Sequence, residues 1–181
     1  MKIHLDLDCY FVSAERTRYP FLKGKNVVVA KGSDKKIFSK DKKEGVIVGS
    51  NGAFNSILEF KNSYDINNIL QAWKDEFIDE NGEIHGIVIA KSYECKPYGI
   101  KTGTPLRDAI HMCPNLIILP SDHLFYVELS QKLKAFLELK IPVLETYSID
   151  EFWGALDGWI KDEDTLEFIT ELRDEIMQKF D

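Results

Sequence analysis

Residues 2–15 read KIHLDLDCYFVSAE, an apolar–polar alternation that runs into a string of helix formers. Side chains along a strand alternate between its two faces, so Ile3, Leu5 and Leu7 point one way and His4, Asp6 and Asp8 the other. One face has the make-up of a core; the other carries two carboxylates and has the make-up of a site. The following VSAERTR favours a helix up to Tyr19, where Pro20 ends it, because the residue before a proline is pushed out of the α region. The aspartates therefore sit where a strand gives way, through a turn, to a short helix.

Working outward, NVVVAKG at 26–32, GIVIAKS at 86–92 and LIILP at 116–120 have the apolar, β-branched character of buried strands. Between the first two, INNILQAWKDEFID places Ile69, Leu70, Trp73 and Phe77 on one helical face. Thr104 is expected to cap a helix with Pro105 at its first position and Pro114 closing it. Asp122 is expected to cap a longer helix with an apolar stripe of Leu129, Leu133, Phe136 and Leu137. VLETYSIDEFWGALDGW predicts two strands joined around Ser148–Glu151, which puts Asp150 and Glu151 at a hairpin tip beside Phe152 and Trp153. The last segment predicts an amphipathic helix with Leu166, Ile169, Leu172, Ile176 and Phe180 inward. SDKKIFSKDKK at 33–43 breaks the periodicity; its lysines suit either a phosphate contact or a solvated loop, the usual fate of charge runs.

The 181 residues, 44% hydrophobic, are enough for a sizeable core, in one globular unit or two small ones. Cys9, Cys95 and Cys113 are odd in number and far apart, which excludes a disulfide framework and CxxC zinc spacing and leaves small buried hydrophobes. No basic segment followed by an apolar run opens the chain, and no apolar run approaches the length of a bilayer span, so cytoplasmic residence is the default. A net charge of −7 argues against a wholly basic nucleic-acid-binding surface, yet permits a cation site lined by carboxylates.

Asp6 with Asp8, and Asp150 with Glu151, are two acidic clusters at strand ends. That is the donor chemistry of hard divalent cations: magnesium takes oxygen ligands and fills its octahedron with water and substrate phosphates. Two such ions about 3.5–4 Å apart clamp the attacking and leaving oxygens of a phosphoryl transfer. Taken alone the clusters are equally well surface or turn carboxylates, since a DxD pair arises often by chance.

Four blocks in order, HLDLDCYFVSAE, SYECKPYGIKTGTPL, CPNLIILP and YSIDEF, resemble the successive motifs of the Y-family, or translesion, DNA polymerases. The resemblance covers 1–32 and about 86–160. It implies an α/β (α+β) fold: a palm whose antiparallel sheet is backed by helices, plus a small fingers lobe. In that frame 1–32 holds the palm start and first fingers elements, 33–120 the fingers with an insertion at 33–85, and 121–181 the rest of a truncated palm. The implied activity is template-directed DNA synthesis past damaged bases, with primer-template DNA and deoxynucleoside triphosphates as partners and two Mg2+ ions as cofactors, Mn2+ substituting.

By position, the resemblance makes Asp6, Asp150 and Glu151 catalytic and metal-binding, helped by the backbone carbonyl of Leu7; Asp8 matches an acidic position without an assigned role. Phe11 falls at the steric gate, an aromatic ring that would clash with a ribose 2'-hydroxyl. The amides around Tyr10 and Phe11 would face the triphosphate, as suits a helix N-terminus. Tyr93 and Lys96 match the fingers residues that grip it; the plainer reading of the pair is a helix-face aromatic and a surface amine.

The sequence also departs from the pattern. Lys96 stands where the family commonly has arginine, keeping the charge but losing the bidentate fork, and Ala90 replaces a hydroxyl residue. A further lysine used on the triphosphate is absent, as are the next palm strand, thumb and little-finger domains, so this piece alone is expected to bind primer-template weakly and extend it poorly. A processivity clamp is left open as a partner, since its binding tail would lie beyond Asp181. Two alternatives frame the reading: a polymerase-like repair accessory without catalysis, and a nucleotide cyclase on a palm-like sheet, which would need no steric gate.

Overall fold

The computed structural model describes residues 1–32 and 68–180. The lysine-rich stretch at 33–43 and most of the expected insertion lie outside the described residues. The chain divides into two compact units. The first combines Met1–Asp8 with Leu124–Asp181; the described residues of the second lie between Cys9 and His123.

In the first unit, β1 (Lys2–Asp6), β5 (Val143–Thr146) and β6 (Glu151–Ala155) form an antiparallel sheet in the order β1-β6-β5. Two helices, α4 (His123–Glu138), which enters this unit at Leu124, and α5 (Thr165–Phe180), supply the layer that covers one face. Period-two alternation sets which face that is: Ile3, Leu5 and Leu7 from β1 and its extension join Phe152, Leu156 and Leu144 against Leu133, Phe136, Leu137 and Leu172. Gly154 belongs to the same inward set. A Cβ there would come 2.7 Å from Ile141 Cγ2 and 3.1 Å from Ile3 Cγ1, so glycine is what lets β6 lie so close to its neighbours. The opposite face carries His4, Asp6, Glu151 and Trp153, as the alternation predicts.

In the second unit, β2 (Val27–Lys31) is central, antiparallel to β3 (Ile87–Lys91) and parallel to β4 (Ile117–Pro120). Both faces of β2 are covered, as expected of a β-branched run; β3 is less enclosed, with Ile87 exposed. Helices α1 (Tyr10–Arg18), α2 (Ile69–Phe77) and α3 (Leu106–Met112) complete the unit. Its core gathers Val28, Ala30, Phe77, Val88, Cys95, Ile100, Leu106, Ala109 and Cys113, with Trp73 packed against it.

Several local expectations need correcting. Leu166 is 73% exposed and Ile169 is also exposed; the inward stripe of α5 is Phe168, Leu172, Ile176 and Phe180, a four-residue step that leaves the other two on its flank. Leu70 is 78% exposed, because Trp73 and Phe77 already occupy the core side of α2. Pro105, not Thr104, holds the N-cap position of α3: its ψ of 140° is extended, and the Thr104 hydroxyl instead accepts the Lys101 N–H at 2.9 Å, closing a turn. Cys95 and Cys113 are buried as expected, but Cys9 is only half-buried. Asp122, ahead of α4, is buried and accepts from Arg18 Nη1 at 2.9 Å. Among the described residues no helix is long and apolar enough to cross a membrane.

Candidate active site

The acidic positions are set by backbone pairing. Asp6, the last residue of β1, stands directly opposite Glu151, the first of β6. One step on, the Leu7 N–H donates to the Asp150 carbonyl at 3.1 Å, tying the strand end to the turn that carries the second cluster. That turn is closed by the Tyr147 and Ser148 N–H groups, which donate to the Glu151 carbonyl at 3.0 and 3.3 Å. Asp6, Leu7, Asp150 and Glu151 are thus brought together at one end of one sheet.

Two neighbours that the motif reading left without a role engage these carboxylates. Ser148, only 5% exposed, donates its hydroxyl to Asp150 Oδ1 at 2.6 Å, and the same oxygen lies 3.4 Å from Glu151 Oε2 and from the Asp150 N–H. On the other side of Glu151, His4 Nε2 lies 3.5 Å from Oε1, and the His4 ring stacks on Trp153 with centroids 4.1 Å apart and planes 13° from parallel. The signal for Ser148 was present in sequence, a hydroxyl two residues before an aspartate being a turn-forming pattern.

As a donor set, three carboxylates and a backbone carbonyl match a hard cation such as magnesium. Among the described residues, however, no three His, Cys, Asp or Glu side chains stand grouped so as to hold an ion. The donor chemistry fits; the side chains of Asp150 and Glu151 are turned onto Ser148 and His4. Asp8 lies past the strand, in the turn, and is exposed.

Tyr10, Phe11, Tyr93 and Lys96 all belong to the second unit. Cys9, with φ 53° and ψ 36°, takes a left-handed conformation uncommon for a residue with a side chain, and from it α1 starts at Tyr10. The Cys9 carbonyl accepts the Val12 and Ser13 N–H groups at 2.9 and 3.0 Å, so the helix begins abruptly at the turn. No acidic side chain occupies its first turn. The Tyr10 side chain is buried, whereas Phe11 is partly exposed, their rings 5.9 Å apart.

Tyr93 and Lys96 lie on a 3-10 turn, Tyr93–Tyr98, immediately after β3, with Lys96 Nζ 3.8 Å from the centre of the Tyr93 ring. Below them the Ser92 hydroxyl, fully buried, donates to the Lys25 carbonyl at 3.0 Å and accepts the Val27 N–H at 3.1 Å. Glu94 receives Arg16 Nη2 at 2.9 Å, which fastens the turn to α1. Burial pushes the Glu94 carboxyl up, but hydrogen bonds from its own backbone, from Arg16 and from Ser92 together hold it below its ordinary value.

The model of the impB/mucB/samB family matches residues 5–181. DNA polymerase IV of Clostridium kluyveri is 40% identical over 73 residues, which is 40% of this chain and 18% of that protein. DNA polymerase IV of Dehalococcoides mccartyi is 26% identical over 157 residues, or 87% of this chain and 28% of the relative. Among solved structures, an insertion ternary complex of Dbh DNA polymerase matches with a TM-score of 0.69 at 20% identity, covering 98% of this chain and 39% of that one. A chimera described as a Y-family DNA polymerase matches with a TM-score of 0.67 at 21% identity, covering 98% and 39%. The chain therefore spans well under half the length of the proteins it resembles, and within that span the fold is theirs. With its strand-end aspartates and its YSIDEF turn in place, the chain belongs to the impB/mucB/samB family, the expectation drawn from its four ordered motifs.

Proposed function

We propose that this chain is the palm and fingers part of a translesion DNA polymerase, acting on primer-template DNA and deoxynucleoside triphosphates in the cytoplasm. The reading gives the palm to the first unit and the fingers to the second. The observation that carries it is the register that sets Asp6 opposite Glu151 with Asp150 tied to Leu7, in a chain whose family match runs from 5 to 181.

The reaction is attack of a primer 3'-hydroxyl on the α-phosphate of the incoming nucleotide, with pyrophosphate leaving in line. Asp6, Asp150, Glu151 and the Leu7 carbonyl would hold two magnesium ions, with manganese substituting, and the chemistry supplied there would be neutralisation of charge developing in the phosphoryl transfer. Phe11 excludes ribose by lying against the sugar, the amides at the start of α1 face the triphosphate, and Tyr93 and Lys96 grip it from the turn after β3. The chain spans 39% of the Dbh structure, so we infer that much of the duplex-gripping surface lies elsewhere and that this piece alone extends primers poorly. A clamp partner would likewise be engaged outside these residues.

The test is titration of the 181-residue chain with a deoxynucleoside triphosphate, with and without Mn2+ or Mg2+. Metal-dependent binding, lost in Asp150→Asn and at least several-fold weaker for the ribonucleotide, is the expected result. A second reading, a polymerase-like repair accessory without catalysis, is favoured by one observation: among the described residues no three acidic, His or Cys side chains are grouped so as to hold an ion. Absence of metal-dependent binding by a folded chain would select it.

A further inference from the structure

Resting on the reading of Asp150 and Glu151 as metal ligands, we propose that Ser148 is a positioning residue for the site, its hydroxyl fixing the Asp150 carboxylate for the cation. Three observations carry this. Ser148 is buried at the root of the turn, so its hydroxyl has little water to exchange with. Its shortest contact by far is to a side chain: 2.6 Å to Asp150 Oδ1, against 3.4 Å to the Asp150 N–H, the bond a purely local turn would use. And the same oxygen lies 3.4 Å from Glu151 Oε2, so the hydroxyl sits where the two adjacent acids meet.

A hydroxyl carries one proton, and the distances assign it to Asp150. A bond of this length, from a neutral donor to an ionised acceptor, belongs to the strong class and fixes the carboxylate's rotation. It uses one lone pair of Oδ1 and leaves the other oxygen of Asp150 for coordination. Glu151 is met instead by His4, whose Nε2 lies 3.5 Å from Oε1, the His4 ring being steadied by its stack on Trp153. Hydrogen-bonded partners of this kind orient ligands before metal arrives, and their removal lowers metal affinity even where every ligand is intact.

The test is Mn2+ binding to the full 181-residue chain, followed by loss of the electron paramagnetic resonance signal of free Mn2+, with thermal unfolding recorded on the same samples. Ser148→Ala is expected to weaken Mn2+ about 10-fold or more, the usual cost of removing an outer hydrogen bond to a ligand. Its thermal midpoint should stay close to wild type, which separates positioning from a structural role. Should alanine fail to fold, Ser148→Cys, similar in size but a weak donor, must show the same loss. Wild-type Mn2+ affinity in a folded Ser148 variant, with binding abolished in Asp150→Asn, would overturn the proposal and leave the metal site standing. Unchanged binding in Asp150→Asn, or none in the wild type, would overturn the metal reading and this inference with it.

Discussion

The carboxylate end of the first unit and the Tyr93–Lys96 turn of the second are held by different means. Asp6 and Glu151 are opposed in a β ladder, Asp150 hangs on a backbone bond from Leu7, and behind them Leu5, Leu7 and Phe152 anchor the same residues' neighbours in the core. Tyr93 and Lys96 ride a single 3-10 turn rooted by one backbone bond, from the Ser92 N–H to the Val27 carbonyl at 2.8 Å, and by the buried Cys95, with the Ser92 hydroxyl beneath it and the Glu94–Arg16 pair beside it. A ladder position shifts only if the sheet shifts, whereas a turn held by a few bonds can be adjusted one residue at a time.

The largest effect that would break the comparison is chemical. In an intact polymerase containing these residues, Asp6→Ala and Asp150→Ala should each lower metal-dependent nucleotide incorporation by at least about 100-fold, as loss of a group acting directly on transition-state charge does. Both side chains lie off the core, so circular dichroism should stay as in wild type. Incorporation at wild-type rates by either variant would show that the ladder positions acids with no catalytic part. Next in size is the support behind them. Phe152→Ala should cost about 3–5 kcal/mol, since the ring is fully buried in the first unit's core. Gly154→Ala should cost about 1–3 kcal/mol by forcing Ile141 and Ile3 aside. Denaturant unfolding measures both, and a neutral Gly154→Ala would mean that β6 is free to move away from its neighbours.

How much of this was legible in the sequence follows the same division. Period-two alternation is a strong signal, so the facing of Ile3, Leu5 and Leu7 against His4 and Asp6 came out as expected, and with it the acid-bearing face. Helical phase is weaker when more apolar residues are present than the core can take: α5 offers Leu166 and Ile169 as well as Phe168, and only packing chooses. Ser148 and His4 carry no periodic signal, because what they do depends on contacts with side chains rather than on a repeat. The same holds for Cys9, whose left-handed backbone is imposed by the abrupt passage from β1 to α1 and not by a glycine. Arg16 and Glu94, 78 residues apart, meet only in the fold.

The Glu94–Arg16 pair sharpens the comparison through pH. The Glu94 carboxyl is held below its ordinary value of 4.5 in the folded chain. Folding therefore favours the ionised form, and the stability it contributes is present in full above that ordinary value and is lost as the pH falls through the lowered folded one. Glu94→Gln should thus unfold at a lower temperature than wild type near neutrality, and the two melting points should converge as the pH is taken below 4.5. The convergence is the diagnostic feature: a gap that persists in acid would mean that glutamine merely packs badly, and that the turn is not fastened by charge.

The smallest expected effect lies in the turn itself. Lys96 sits with its ammonium over the Tyr93 ring, a contact worth about 0.5–1 kcal/mol at an exposed site and one that any cation of suitable reach could make. A guanidinium in the same place would stack at least as well and would add a planar fork able to meet two phosphate oxygens at once. In an intact polymerase containing this turn, Lys96→Arg should therefore lower the KM for nucleotide by roughly 2- to 5-fold with kcat little changed, because the gain is uniform binding of the triphosphate rather than stabilisation of the transition state alone. Lys96→Met keeps the length and apolar stem but removes the charge, and should raise KM by about 10-fold, in keeping with loss of one hydrogen bond to a charged group. Neither change should move the melting temperature, since the side chain is exposed and takes no part in the core. If Lys96→Met leaves KM where it was, the lysine is a surface amine parked on an aromatic ring, and the adjustable half of the comparison would have to be sought among other residues of the second unit.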